Sequence, residues 1–374
     1  MAEASILELH GLQDLLQILR SRGYRVMGPT VRDGVITVSD IANIDDLPRG
    51  VGDDQDAGHY RLRDRGDDAL FGFAAPMQSA KSVFFPADEL LWRGRRESEG
   101  FSTEPAEAPS EPVALIGVRS CDLAAVGVQD VVLSSRGFPD SRYVARREDA
   151  FVVATTCADP AGTCFCASMG TGPKPSAGYD IALTELLEPE HRFVAEAGSQ
   201  AGADILAQLG TEPATSEDTS ATEQLVTDAV ASMGRTMRTD DLRNLLYSQA
   251  QSRHWDEVAS RCLACQNCTM VCPTCFCTSV EDVSDLSGDL DERHRVWDSC
   301  FSQEYSRLHT NFVRDSTASR YRQWITHKLA AWTDQFGMSG CVGCGRCVTW
   351  CPAAIDITAE VAALRNSADQ DREG

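Results

Sequence analysis

Two stretches of this 374-residue chain carry cysteines at spacings suited to metal chemistry. Cys262, Cys265, Cys268 and Cys272 are followed by Pro273, and Cys341, Cys344, Cys347 and Cys351 by Pro352. Both read C-x2-C-x2-C-x3-C-P. In that frame three closely spaced thiolates hold one cuboidal iron-sulfur cluster, and the fourth, carried away by the proline, ligates the other. Each motif therefore completes its partner. The spacing assigns Cys262, Cys265, Cys268 and Cys351 to cluster 1, and Cys341, Cys344, Cys347 and Cys272 to cluster 2, so the expected cofactors are two 4Fe-4S clusters. Structural zinc also uses paired C-x2-C elements, but it needs only four ligands and has no use for this frame twice over.

The remaining cysteines lie outside these frames. Cys121, Cys157, Cys164 and Cys166 precede them, and two predicted strands end near these residues. Four soft thiolates are enough for a third iron-sulfur cluster or another metal site. The competing expectation is four small buried hydrophobes, since C-x-C is no standard cluster spacing. The segment Thr163-Cys164-Phe165-Cys166 is echoed at Thr274-Cys275-Phe276-Cys277. Cys275, Cys277 and Cys300 read as hydrogen-bond donors around a cluster or as buried thiols rather than ligands. His309 and His327 read as surface or hydrogen-bonding residues, because the eight ligand positions are already filled.

The elements that must position these residues come next. Ile6, Leu9, Leu12, Leu16 and Leu19 recur at helical spacing, predicting an amphipathic helix over Met1 to Leu19. Tyr24 to Met27 and Val35 to Val38 flank Arg32-Asp33-Gly34 and predict a hairpin. Asp45 to Asp68 predicts a surface loop, and Gly94 to Pro112, rich in Glu, Ser, Ala and Pro, a disordered connection. The aromatic run from Ala69 to Trp92 predicts core. Val113 to Val118 predicts a buried strand feeding a helix over Leu123 to Leu133, with Cys121 and Asp122 at the turn, and Phe151 to Thr155 a second strand. Ser168 to Pro173 lacks a phosphate-binding frame and predicts a plain turn. Further helices are predicted over Thr222 to Met233, Asp240 to Arg261 and Tyr321 to Trp332. The expected fold class is α+β: an N-terminal α/β domain over 1–239 followed by a mostly helical, enlarged bacterial-type 2x4Fe-4S ferredoxin domain over 240–374.

A net charge of -22 argues against nucleic acid as a partner. The fifteen cysteines read as ligands in a reducing compartment, not as disulfides. The start of the chain reads as a helix and not as a leader, and no apolar run is long enough to insert into a membrane. The expected location is cytoplasmic.

The combination of Gly117-Val118-Arg119-Ser120-Cys121-Asp122, Ser168-Met169-Gly170-Thr171-Gly172-Pro173, Trp297-Asp298-Ser299-Cys300-Phe301, Arg322-Gln323-Trp324 with His327-Lys328, and Cys341 to Pro352 resembles one family. It is that of the 4Fe-4S dicluster beta subunits of cytoplasmic sulfhydrogenase-type nickel-iron hydrogenases, and the chain is similar also to the corresponding subunit of anaerobic sulfite reductase. Ser120 stands where the family's turn has Pro. The resemblance implies an electron-transfer subunit with no substrate chemistry of its own. It implies partners as well: a flavin, NAD(P)H-binding subunit and a catalytic subunit for hydrogen or sulfite chemistry. A different class of reading is a catalytic oxidoreductase whose substrate binds at a cluster held by the four N-terminal thiols.

Overall fold

The computed structural model describes residues 4–107, 111–135 and 137–373. A mixed sheet of eight strands organises the N-terminal part, in the order Glu212–Pro213, Ser5–Glu8, Arg192–Ala197, Ile181–Leu186, Phe151–Thr155, Val113–Arg119, Arg25–Arg32, Val35–Asp40. Its middle is parallel, from Arg25–Arg32 through Val113–Arg119 and Phe151–Thr155 to Ile181–Leu186. Strands buried on both faces need continuous apolar sequence, and Val113–Arg119 and Phe151–Thr155 supply it. The helix Leu9–Ser21 packs Leu12, Leu15, Leu16 and Leu19 into the core on one face, with Phe71, Phe73, Val153 and Phe193 in the same cluster. At the hairpin, Asp33 and Gly34 both take positive φ, as a two-residue reversal requires.

Three readings of the sequence need correction. Residues 5–8 are not helical: Ser5–Glu8 is a strand paired on both sides, and only Leu9–Ser21 is helix, so the apparent helical spacing ran across two elements. Asp45 to Asp68 is not merely a loop, since Val51–Asp56 and His59–Asp64 pair as a hairpin. Its alternation was masked because Asp53 and Gln55, though polar, are buried. Asp53 accepts from the Ala74 amide at 3.0 Å and from Gln55 at 2.7 Å, so the burial is compensated. The third correction is at Gly94 to Pro112. Asp88–Glu97 and Gly100–Pro105 are ordered strands, while residues 108–110 lie outside the described residues. These strands join Leu290–Trp297 and Thr278–Ser284 in a four-stranded antiparallel sheet. Strands from either side of position 239/240 thus share one sheet, and the insert between the cysteine motifs carries a strand pair as well as helices.

Around the motifs the helical content dominates. Asp240 to Arg261 divides into Leu242–Ser248 and His254–Arg261, while Thr317–Thr326 continues through a π-helical segment, His327–Ala331, into Trp332–Phe336. These helices share a core with Trp255, Phe301, Tyr321, Trp324, Leu329 and Leu364, and cysteines of both motifs pack against it. The whole is α+β. Among the described residues no helix is long and apolar enough to cross a membrane.

Candidate metal centre

The two motifs fold into the same loop. In the first, Ala264 and Gln266 take positive φ; at the equivalent positions of the second stand Gly343 and Gly345, also at positive φ. Each loop then enters a one-turn helix, Asn267–Met270 or Arg346–Thr349, and the two helices pack together. Backbone N–H groups near the loops reach the thiols: the Ala264 amide donates to Cys262 Sγ at 3.4 Å, and the Ile355 amide to Cys351 Sγ at 3.3 Å. Amides directed at sulfur are what a thiolate cluster uses to spread its charge.

Two cavities result. One, with about 430 Å³ of non-atom space, is lined by Cys262, Cys265, Cys268 and Cys351, with Cys347 also on its wall and Phe301, Tyr321 and Trp324 around it. The other, about 330 Å³, is lined by Cys272, Cys341, Cys344 and Cys347, with Phe165, Lys328 and Ile357. The thiols thus group around two voids as the spacing predicted, and Cys347 borders both. Among the described residues no three His, Cys, Asp or Glu side chains close to the distances of a single metal ion. The donor set is all sulfur and borders two voids, which fits cuboidal iron-sulfur clusters.

Burial governs the thiols. It pushes Cys268, Cys344 and Cys347 up and Cys341 to about 12, so each would give up its proton only to a metal. Cys272 goes the other way. The Cys275 thiol donates to it, and against the effect of burial the Lys328 ammonium adds its charge, holding Cys272 well below the usual thiol range. Lys328 Nζ donates to Cys272 Sγ at 3.1 Å and to Thr274 Oγ1 at 2.9 Å. Lys81, also buried, places its ammonium 3.5 Å from the centre of the Trp297 ring and 3.4 Å from the Cys272 carbonyl. The chain has only three lysines, Lys81, Lys174 and Lys328, and two of them converge here. That scarcity was the signal in the sequence; its meaning was not apparent there.

Cys121, Cys157, Cys164 and Cys166 are all buried, and the structure does bring them near one another. Burial raises each pKa, and the neighbouring thiols add to it: Cys344 and Cys166 for Cys121, Cys157 and Cys166 for Cys164. Their loop docks on the second motif. The Phe165 amide donates to the Gly343 carbonyl at 2.9 Å, Thr171 Oγ1 donates to the Val342 carbonyl at 2.6 Å, and Thr163 shares a hydrogen bond with Thr349 at 2.8 Å. Ser120 occupies the first position of its helix, and its hydroxyl donates to the Lys174 carbonyl at 3.0 Å, so the turn is tied down without proline. Asp122, expected at a ligand crevice, instead accepts both terminal nitrogens of Arg346 at 2.6 and 2.8 Å. Arg346 lies inside the second motif, between Cys344 and Cys347.

Cys275, Cys277 and Cys300 adjoin the Cys272 side of the site and line neither cavity. His327 is half-buried against Phe276 and Trp332 rather than on the surface. Val348 is fully buried beside Cys347.

The comparisons with known proteins agree with this arrangement. The 4Fe-4S dicluster domain family matches residues 261–355, a span that includes all eight motif cysteines. Sulfhydrogenase 2 subunit beta of Pyrococcus furiosus is 32% identical over 246 residues, covering 65% of this chain and 71% of that protein. No solved structure matches the chain. With the dicluster domain on the two cysteine cavities and the likeness extending over most of both chains, this protein belongs to the family of the sulfhydrogenase beta subunits, iron-sulfur electron-transfer proteins.

Proposed function

We propose that this chain is the relay of a larger cytoplasmic oxidoreductase, passing single electrons between a flavin, NAD(P)H-binding subunit and a nickel-iron hydrogenase module. Cys262, Cys265, Cys268 and Cys351 would hold one 4Fe-4S cluster, and Cys341, Cys344, Cys347 and Cys272 the other. When bound, such clusters supply reversible one-electron storage. The observation that carries the reading is the pair of thiol-lined cavities sharing Cys347, because electron transfer needs neighbouring redox sites and no substrate pocket. The protein's own contribution is to fix the thiols, aim amides at sulfur and exclude water with Phe301, Tyr321 and Trp324. Cys265 is exposed and Leu263 is 68% exposed, so the first cavity lies at the surface, where electrons can enter or leave. The sulfhydrogenase likeness favours hydrogen chemistry in the partner over sulfite chemistry.

One observation favours a longer relay. The four N-terminal thiols are buried together, and Cys164 Sγ lies 3.9 Å from the Cys344 carbonyl, so a third cluster on Cys121, Cys157, Cys164 and Cys166 would continue the line. The test is iron and acid-labile sulfide on anaerobically purified protein, with EPR of the reduced form. About eight irons per chain with interacting spins supports two clusters; about twelve supports three. Iron near zero after anaerobic purification and reconstitution refutes the relay.

A further inference from the structure

The two cavities differ in charge. Among the described residues no lysine, arginine, aspartate or glutamate lines the first, whereas Lys328 lines the second. Lys328 is 4% exposed. Its ammonium donates to Cys272 Sγ, Thr274 Oγ1 and, at 3.4 Å, the Gly340 carbonyl, and no carboxylate is among these partners. A buried ammonium without a carboxylate is costly unless another anion faces it. The groups that do face it are the thiols of Cys272, Cys275 and Cys341, two of which belong to the proposed second ligand set.

We infer that Lys328 is the built-in counter-charge of the second cluster and sets its reduction potential. The inference rests on the ligand assignment proposed above. A 4Fe-4S centre with four thiolate ligands is anionic and gains one further negative charge on reduction. A fixed cation 3.1 Å from a ligand sulfur therefore stabilises the reduced form more than the oxidised form. Low dielectric around the pair strengthens the effect, since Lys328, Thr274 and Cys272 are all buried. The first cavity has solvent at Cys265 and no such cation. Lys328 thus biases the electron toward the inner position, beside the loop that carries Cys164 and Cys166. The role is positional and electrostatic: Lys328 acts through Cys272.

The experiment compares the full-length cluster-loaded chain with Lys328→Met and Lys328→Arg in an EPR-monitored redox titration. Wild-type iron of about eight per chain or more first establishes that the clusters are present. Absence of iron there would overturn the relay itself and not the role of Lys328. With iron in place, Lys328→Met should move one reduction step to lower potential. At the wild-type midpoint of that step the reduced-to-oxidised ratio should fall at least about tenfold, which is about 59 mV for one electron. The other step should move less. Lys328→Arg keeps the charge and should shift the step less than Met does. If Lys328→Met instead loses about half its iron while Lys328→Arg retains it, the counter-charge is still required, and the inference stands. Unmoved steps in Lys328→Met, equal movement of both steps, or equal damage from Met and Arg would each overturn it.

Discussion

Asp122→Ala is the most informative single change in this fold. Asp122 and Arg346 form a bidentate pair with side chains 5% and 1% exposed, joining the first turn after Val113–Arg119 to the heart of the second cysteine motif. Burial would lower the pKa of Arg346, but Asp122 and the Cys344 thiol outweigh it, so the guanidinium stays charged. Removing the carboxylate leaves that charge buried with only the carbonyls of Pro76, at 2.6 Å, and Gln78, at 3.3 Å. Breaking a buried pair from one side costs about 3–5 kcal/mol, a large share of a domain stability of about 5–15 kcal/mol. The assay is urea denaturation followed in parallel by tryptophan fluorescence and by cluster absorbance. The cluster signal should be lost at lower urea than in the wild type by an amount matching that cost, and the second cluster should be lost first. Replacing both partners, Asp122→Leu with Arg346→Met, removes the charges together and should recover most of the loss. A cost below about 1 kcal/mol for Asp122→Ala, or a double variant no better than the single, would refute the reasoning.

Two further outcomes follow from the same geometry. Gly345 sits at φ +77, and a Cβ there would fall 2.6 Å from the Thr163 carbonyl oxygen. Gly345→Ala should cost about 1 kcal/mol from backbone conformation alone, with the clash in addition. It should lower second-cluster occupancy, read as iron content and thermal midpoint; full iron with an unchanged midpoint would count against the tight docking. The second concerns pH. Burial, then the charges of Lys328 and Arg314, lower His327 to about 4. The unfolded chain takes up this proton near its ordinary pKa of about 6.5, so the folded state loses stability as pH falls from there toward the folded value, by up to about 3 kcal/mol. His327→Phe, which keeps the packing on Phe276 and Trp332, should flatten that part of the stability profile in urea titrations at successive pH values; an unchanged slope would refute the assignment.

Short-range chemistry is what the amino-acid order spells out directly. Eight cysteines at fixed intervals before proline carry the cluster chemistry in a span of about a dozen residues each, because the ligand loop is a short-range structure. The hairpin at Asp33-Gly34 and the strand-to-helix turn at Arg119–Ser120 were legible for the same reason: φ preference and apolar runs act over a few residues. The remainder depends on contacts between distant positions. Gly94 to Pro105 reads as polar connection because its strands pair through backbone groups, Asp88–Glu97 with Gly100–Pro105 on one side and with the far-off Leu290–Trp297 on the other, and backbone pairing leaves little trace in side-chain type. Asp53 and Gln55 hid a strand because their burial is compensated by partners that only the fold supplies. Lys328 and Arg346 could not be valued from sequence at all. A charge gains its meaning from what faces it within hydrogen-bond reach, and Cys272 and Asp122 meet those two residues only when the chain has folded across itself.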